Sequence, residues 1–96
     1  MTFPYAINVT RAVFKYFTNT FGQGNSVASF RDDAADVTGT VLTIPFGSTA
    51  EFDSGSINSR IEAGSKIDFR LDTSAHSTGG WVLSHFIIVG LAEISV

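Results

Sequence analysis

The stretch Lys66–Thr73, KIDFRLDT, alternates without a break, and that alternation limits the possible folds more than any other feature of the chain. Lys66, Asp68, Arg70 and Asp72 share one parity; Ile67, Phe69, Leu71 and Thr73 share the other. Successive side chains of a β-strand point to opposite faces, so this segment is a strand with one apolar face and one face of four charges of alternating sign. The best competing helix candidate is FRDDAADVT, residues 30–38. It sets Ala34 and Ala35 among carboxylates, carries no apolar stripe at 3.6 spacing and runs into Gly39, so it reads as a loop or one short turn.

The remaining sequence consists of β-branched and aromatic segments separated by Gly, Ser, Asn and Thr. The expected strands are Tyr5–Val9, Arg11–Thr18, Val27–Arg31, Val37–Ile44, Glu51–Ser54, Ile57–Ile61, Lys66–Thr73 and Trp81–Leu91. Turn signals recur between them, among them Phe21-Gly-Gln-Gly-Asn-Ser, Pro45-Phe-Gly-Ser-Thr, Glu62-Ala-Gly-Ser and His76-Ser-Thr-Gly-Gly. Ala63-Gly64 is expected to close a tight hairpin with positive φ at the glycine. The spacing predicts an all-β fold, an eight-stranded antiparallel β-sandwich that is jelly-roll-like. Residues 1–96 form one domain, and residues 1–10 either fold back or reach out as an N-terminal arm.

Two segments carry more apolar bulk than a two-layer sandwich can hide. From Trp81 to Val89 only Ser84 and His85 are polar, and in Arg11–Thr18 Phe14 and Tyr16 face one way, Val13 and Phe17 the other. A strand with one wet face should alternate, whereas one buried on both faces need not. Composition agrees: 16% of residues are charged, against a usual ~25%, while 44% are hydrophobic and mean hydropathy is positive. A second copy of the chain is the simplest cover for the excess. The expected oligomer-interface residues are Phe14, Tyr16, His85, Ile87, Val89 and Leu91.

Signs of chemistry are sparse. His76 lies in a Ser/Thr/Gly turn and reads as a solvated imidazole; His85 interrupts an apolar strand and reads as a packed, hydrogen-bonded interface residue. Neither has a Cys or Asp partner at zinc spacing, and no G-x-S-x-G occurs. Asp32, Asp33 and Asp36 could offer hard oxygens to calcium, but their spacing matches no EF-hand loop. Gly22-Gln-Gly24 lacks the rest of a phosphate loop, and the sequon Asn8-Val-Thr10 matters only on a secretory route. No cofactor, metal, catalytic residue or small-molecule substrate is therefore expected, and the chain reads as a non-enzyme. The six basic residues are scattered and net charge is −3, which disfavours nucleic acid. No signal peptide or membrane-spanning run is read, so synthesis in a cytoplasm is expected. The charged face of Lys66, Asp68, Arg70 and Asp72 is either a solvated face that discourages edge pairing or a polar contact to a neighbouring subunit.

Three stretches carry a resemblance: Ile44-Pro-Phe-Gly-Ser-Thr-Ala-Glu-Phe-Asp-Ser-Gly, Ile61-Glu-Ala-Gly-Ser-Lys-Ile-Asp-Phe-Arg-Leu-Asp-Thr-Ser-Ala, and Gly79-Gly-Trp-Val-Leu-Ser. Together they resemble small jelly-roll domains of tailed bacteriophages, in which an IPAGST turn leads to an AAGD-type strand, a Gly/Ser turn and a final apolar strand. The resemblance covers residues 44–89. It departs at Ser65, where Asp is usual, and in a final strand more apolar than the pattern, with His85 and Gly90. It implies a homotrimer on the virion, either a capsid decoration (cement) protein bound to the major capsid protein on the capsid exterior, or a fibre head that binds a host-surface glycan. A chain starting at Met1 directly in its first strand, with no shaft before it, favours cement.

Overall fold

The computed structural model describes residues 2–76 and 78–93. It is built on a long antiparallel ribbon. β1 (Ala6–Asn19) pairs with β8 (Trp81–Glu93) along its whole length, from Ala6 opposite Glu93 to Asn19 opposite Trp81. The other edge of β1 is shared by two short strands. β6 (Ser59–Ile61) lies against Ile7–Val9, and β5 (Phe52–Asp53) lies against Val13–Phe14. Between them the amides of Ile57 and Ser54 donate to the carbonyls of Thr10 and Ala12 at 2.9 Å each, so this edge has no gap.

The second sheet repeats the plan around β2 (Asn25–Asp32). β4 (Leu42–Pro45) and β3 (Ala35–Asp36) share one edge, and β7 (Ile67–Asp72) occupies the other. All pairings are antiparallel, and the sheets pack face to face as an all-β sandwich. Val9, Ala12, Phe14 and Tyr16 from one sheet meet Ala28, Phe30, Leu42 and Ile44 from the other. Their rings interlock edge to face, with Phe14–Tyr16 centroids 4.8 Å apart and Phe14–Phe86 5.2 Å apart, a geometry that adds to the burial itself.

Several expected boundaries move. Tyr5–Val9 and Arg11–Thr18 are one strand, because Thr10 is an extra residue: Val9 faces Gly90, and the next pair is Arg11 with Val89. This β-bulge reverses the parity, so Val9 points inward before it and Ala12, Phe14 and Tyr16 after it. Gly90 makes the bulge possible, since a Cβ there would stand 2.6 Å from Ile7 Cγ2 and 3.0 Å from the Asn8 carbonyl oxygen. The segment at 30–38, expected to be a loop or one short turn, holds a short turn at Asp33 and Ala34, with φ of 47° and 69°, but within a hairpin between β2 and β3. The expected strand Val37–Ile44 is strand only from Leu42. Residues 6–10 fold back into the middle of a sheet, and Thr2 bridges Lys66.

The sandwich is asymmetric at its sides. Where β3 and β4 face β5 and β6, the Ser59 hydroxyl donates to the Thr38 carbonyl at 2.6 Å, and Ile57 packs onto Gly39. Where β7 faces β8, contact runs through Phe69 and Phe86, 5.3 Å apart, and Phe69 stays 56% exposed.

The turn at Glu62–Ser65 is tight, with Ser65 N–H donating to the Glu62 carbonyl at 3.3 Å and Gly64 at φ +80°. It joins β6 to β7, which lie in different sheets, so it is a corner and not the expected hairpin. A Cβ at Gly64 meets nothing within 4 Å, so the glycine is required by its dihedral alone. Gly64→Val should lower unfolding free energy by about 1–2 kcal/mol, and Gly64→Asn, which tolerates positive φ, by clearly less. Equal losses in urea unfolding would refute backbone strain as the cause.

Candidate interaction surface

β8 is an edge strand whose inward parity is used and whose outward parity is not. Phe86 and Ile88 pack on the core, whereas Ile87 and Val89 are each 49% exposed and Leu91 is 69% exposed. Spacing by two places these three on one face, giving an apolar strip beside Val13 and Arg11 of β1. Polar contacts fringe it. Arg11 Nε is 3.3 Å from Asp53 Oδ1, Lys15 Nζ donates to the Thr49 carbonyl at 2.8 Å, and His85 Nε2 is 3.0 Å from Glu51 Oε1.

Of the six expected interface residues, four lie on this face: His85, Ile87, Val89 and Leu91. Phe14 and Tyr16 do not. They are 1% and 0% exposed inside the chain's own core, so a neighbouring copy cannot reach them. Alternation shows that β1 has two bulky faces without saying which one meets the second sheet. The outward residues are Val13 and Phe17, the latter displaced by a bulge to 68% exposure. Phe69, Trp81 and Leu83 are among the exposed apolar residues that the sequence reading did not single out. By register Trp81 and Leu83 lie opposite the buried Asn19 and Tyr16, so they turn inward, yet they are 42% and 41% exposed because no other described strand pairs with β8. Only the strand order reveals this.

The histidine in the 73–80 turn is not a solvated ring. His76 stacks on Phe21 with centroids 3.5 Å apart and planes 4° from parallel. Its Nδ1 is 2.7 Å from the Gln23 carbonyl, which only accepts, so Nδ1 carries the proton and Nε2 accepts from the Ser26 hydroxyl at 2.7 Å. Ser26 in turn accepts from Tyr16 at 2.7 Å. The chain Tyr16–Ser26–His76 resembles a catalytic relay in its order, but Ser26 is 0% exposed, and an enclosed hydroxyl cannot attack a substrate. Its work is to pin the turn to the core.

In the acidic cluster of residues 32–36, Asp33 and Asp36 are likewise engaged, while the buried Asp32 Oδ1 has no hydrogen-bond partner among the described residues. Asp33 Oδ1 accepts from the Lys66 amide at 2.9 Å, Asp36 Oδ1 accepts from Ser29 at 2.8 Å, and no group of three or more metal-ligating side chains converges among the described residues. Beside it lies a polar cleft of about 440 Å³ lined by Asp32, Asp36, Thr38, Asn58, Ser59 and Arg60. Arg60 is held by Glu93 and Glu62; its hydrogen bonds and charge keep the Glu93 carboxyl below the usual range. On β7, Arg70 lies 3.4 Å from Asp72, whose carboxyl is held low chiefly by hydrogen bonds from Ser74.

The fold and surface define a small all-β sandwich with one uncovered apolar strand. No protein-family model, no curated protein and no solved structure matches the chain.

Burial pushes the Tyr16 hydroxyl above its ordinary value of 10.0, with the bond to Ser26 pulling more weakly the other way. The unfolded chain therefore loses this proton at lower pH than the folded chain does. The stability tied to it is complete below that ordinary value and declines as pH rises through it toward the folded pKa. Tyr16→Phe should lower stability at neutral pH by about 1 kcal/mol through the lost hydrogen bond, and should flatten the alkaline limb of the melting profile. Parallel profiles for the two proteins from about pH 9 to 11 would rule out Tyr16 as its source.

Proposed function

We propose that this chain is a structural protein of a bacteriophage virion: a jelly-roll-like sandwich that forms a homotrimer and decorates the capsid exterior as a cement protein, with the major capsid protein as its partner. The observation that carries the reading is the uncovered apolar strip of Ile87, Val89 and Leu91 on a chain of 96 residues. Such a strip calls for a protein partner. The resemblance over residues 44–89 supplies the setting; within it lie the turn at Gly64 and most of the apolar β8.

The mechanism is mechanical. A protein that binds the assembled shell and not its free subunits stabilises the assembled state by mass action. Each copy contributes a contact of modest area, and the effect grows with the number of copies. The residues assigned to assembly are Ile87, Val89 and Leu91, with His85 held at their margin by Glu51.

A second reading, a fibre head that binds a host-surface glycan, is favoured by one feature: the polar cleft at Asp32, Asp36, Asn58 and Arg60 offers both donors and acceptors to hydroxyl groups.

Particles that lack this chain separate the two. Under the cement reading they assemble and adsorb normally, but release their genome at lower temperature or after milder osmotic shock than complete particles. Particles of normal stability that fail at adsorption would overturn it in favour of the glycan reading.

A further inference from the structure

We propose that copies of this chain meet through the open side of the sandwich, with β8 of one copy lying against β7 of the next so that the contact closes around a threefold axis. This rests on the proposed homotrimer, from which the threefold is taken, and it assigns that association to a surface.

β8 is the starting point. One edge is paired to β1; the other makes no hydrogen bond among the described residues. Solvent-facing edges are ordinarily protected by charge, proline or short length. β8 is 13 residues long, and from Trp81 to Ala92 it contains no Asp, Glu, Lys, Arg or proline. β7, which borders the same opening, is six residues long and carries Asp68, Arg70 and Asp72. One border of the opening is short and charged, and the other is long and uncharged as far as Ala92.

The opening itself has an apolar lip. Phe69, Trp81 and Leu83 have inward parity, but they stand on strands at the edges of their sheets and stay partly exposed. Ile87, Val89 and Leu91 add apolar surface on the outer face of the same strand, β8. From their fractional exposures these six residues present roughly 600–700 Å² per copy, close to the ~800 Å² that each partner contributes to a stable interface. A single copy of similar size is therefore enough to cover this surface.

The occupant follows from the two borders being unlike. A β8-to-β8 contact would leave Phe69 of both copies uncovered. A β8-to-β7 contact places Phe69 of one copy against Trp81 and Leu83 of the next, and uses both borders of every copy. Such a head-to-tail contact forms a closed ring when its rotation closes. The charges near it carry both signs, with Asp68, Arg70 and Asp72 on β7 and the Arg11–Asp53 pair beside β8, so no block of like charge opposes the approach.

The chain has no cysteine, so every disulfide formed joins introduced thiols, and interchain bonds are separated from intrachain ones by size on a non-reducing gel. In the double variant Phe69→Cys/Leu83→Cys, oxidation should give an interchain ladder ending at three chains. In Phe46→Cys/Leu83→Cys, with Phe46 equally accessible on the turn after β4, it should give no ladder. Sedimentation of the wild type should give three chains per particle. Leu91→Asp, at an already exposed position, should give folded single chains with a cooperative melt. Three chains by sedimentation without a Phe69–Leu83 ladder would overturn this surface while leaving self-association standing. Equal ladders in both double variants, or a trimeric Leu91→Asp, would also overturn it. A wild type that sediments as one chain would remove this proposal together with the trimer on which it rests.

Discussion

Phe86 ties the sandwich together on its weaker side. Its ring lies 5.2 Å from Phe14 in its own sheet and 4.5 Å from Phe30 in the facing one, and it reaches Phe69 at 5.3 Å. Without that contact the two edge strands β7 and β8 would have little between them, because the hydrogen bond and close packing that seal the sandwich lie on the opposite side. The fold is thus a two-layer structure closed along one side and held along the other by a cluster of rings. The open side is where the unspent apolar surface collects.

The length of the ribbon has the same origin. β1 and β8 stay paired over their full length only because bulges absorb the mismatch between two strands with different patterns of bulk. The bulge at Thr10 turns Ala12, Phe14 and Tyr16 inward after Val9, and Gly90 gives it room. The bulge at Phe17 releases that side chain to solvent. A ribbon of this length outruns the second sheet, whose central strand β2 has eight residues. Trp81 and Leu83 stay half open for a different reason: their partners across the ribbon, Asn19 and Tyr16, are buried, whereas β8 lies at the edge of its sheet.

The polar network adds a separate constraint. Tyr16 is placed at the centre of the core by β1, and its hydroxyl must find a partner there. It does so through Ser26, and Ser26 through His76, so that a turn distant in sequence is fastened to the middle of both sheets.

Class and the surplus of apolar surface were legible in the sequence, because period-two alternation, turn residues and composition are local properties; the count of eight strands recurs only because two expected strands merge into β1 while β3 adds one. KIDFRLDT is a strand whatever surrounds it, and an uncharged run from Trp81 to Val89 has too much apolar surface for one layer to hide. What the sequence could not decide was which of two bulky faces points inward. Phe14 and Val13 are both apolar; a one-residue bulge and the position of the second sheet bury the first and expose part of the second. The same holds for His76, whose neighbours in sequence are polar and whose neighbours in space are Phe21 and Ser26, and for Phe69, apolar by pattern but exposed by its place on an edge. Alternation fixes relative orientation along a strand, whereas burial depends on which strands lie beside and above it, and only the tertiary structure sets that.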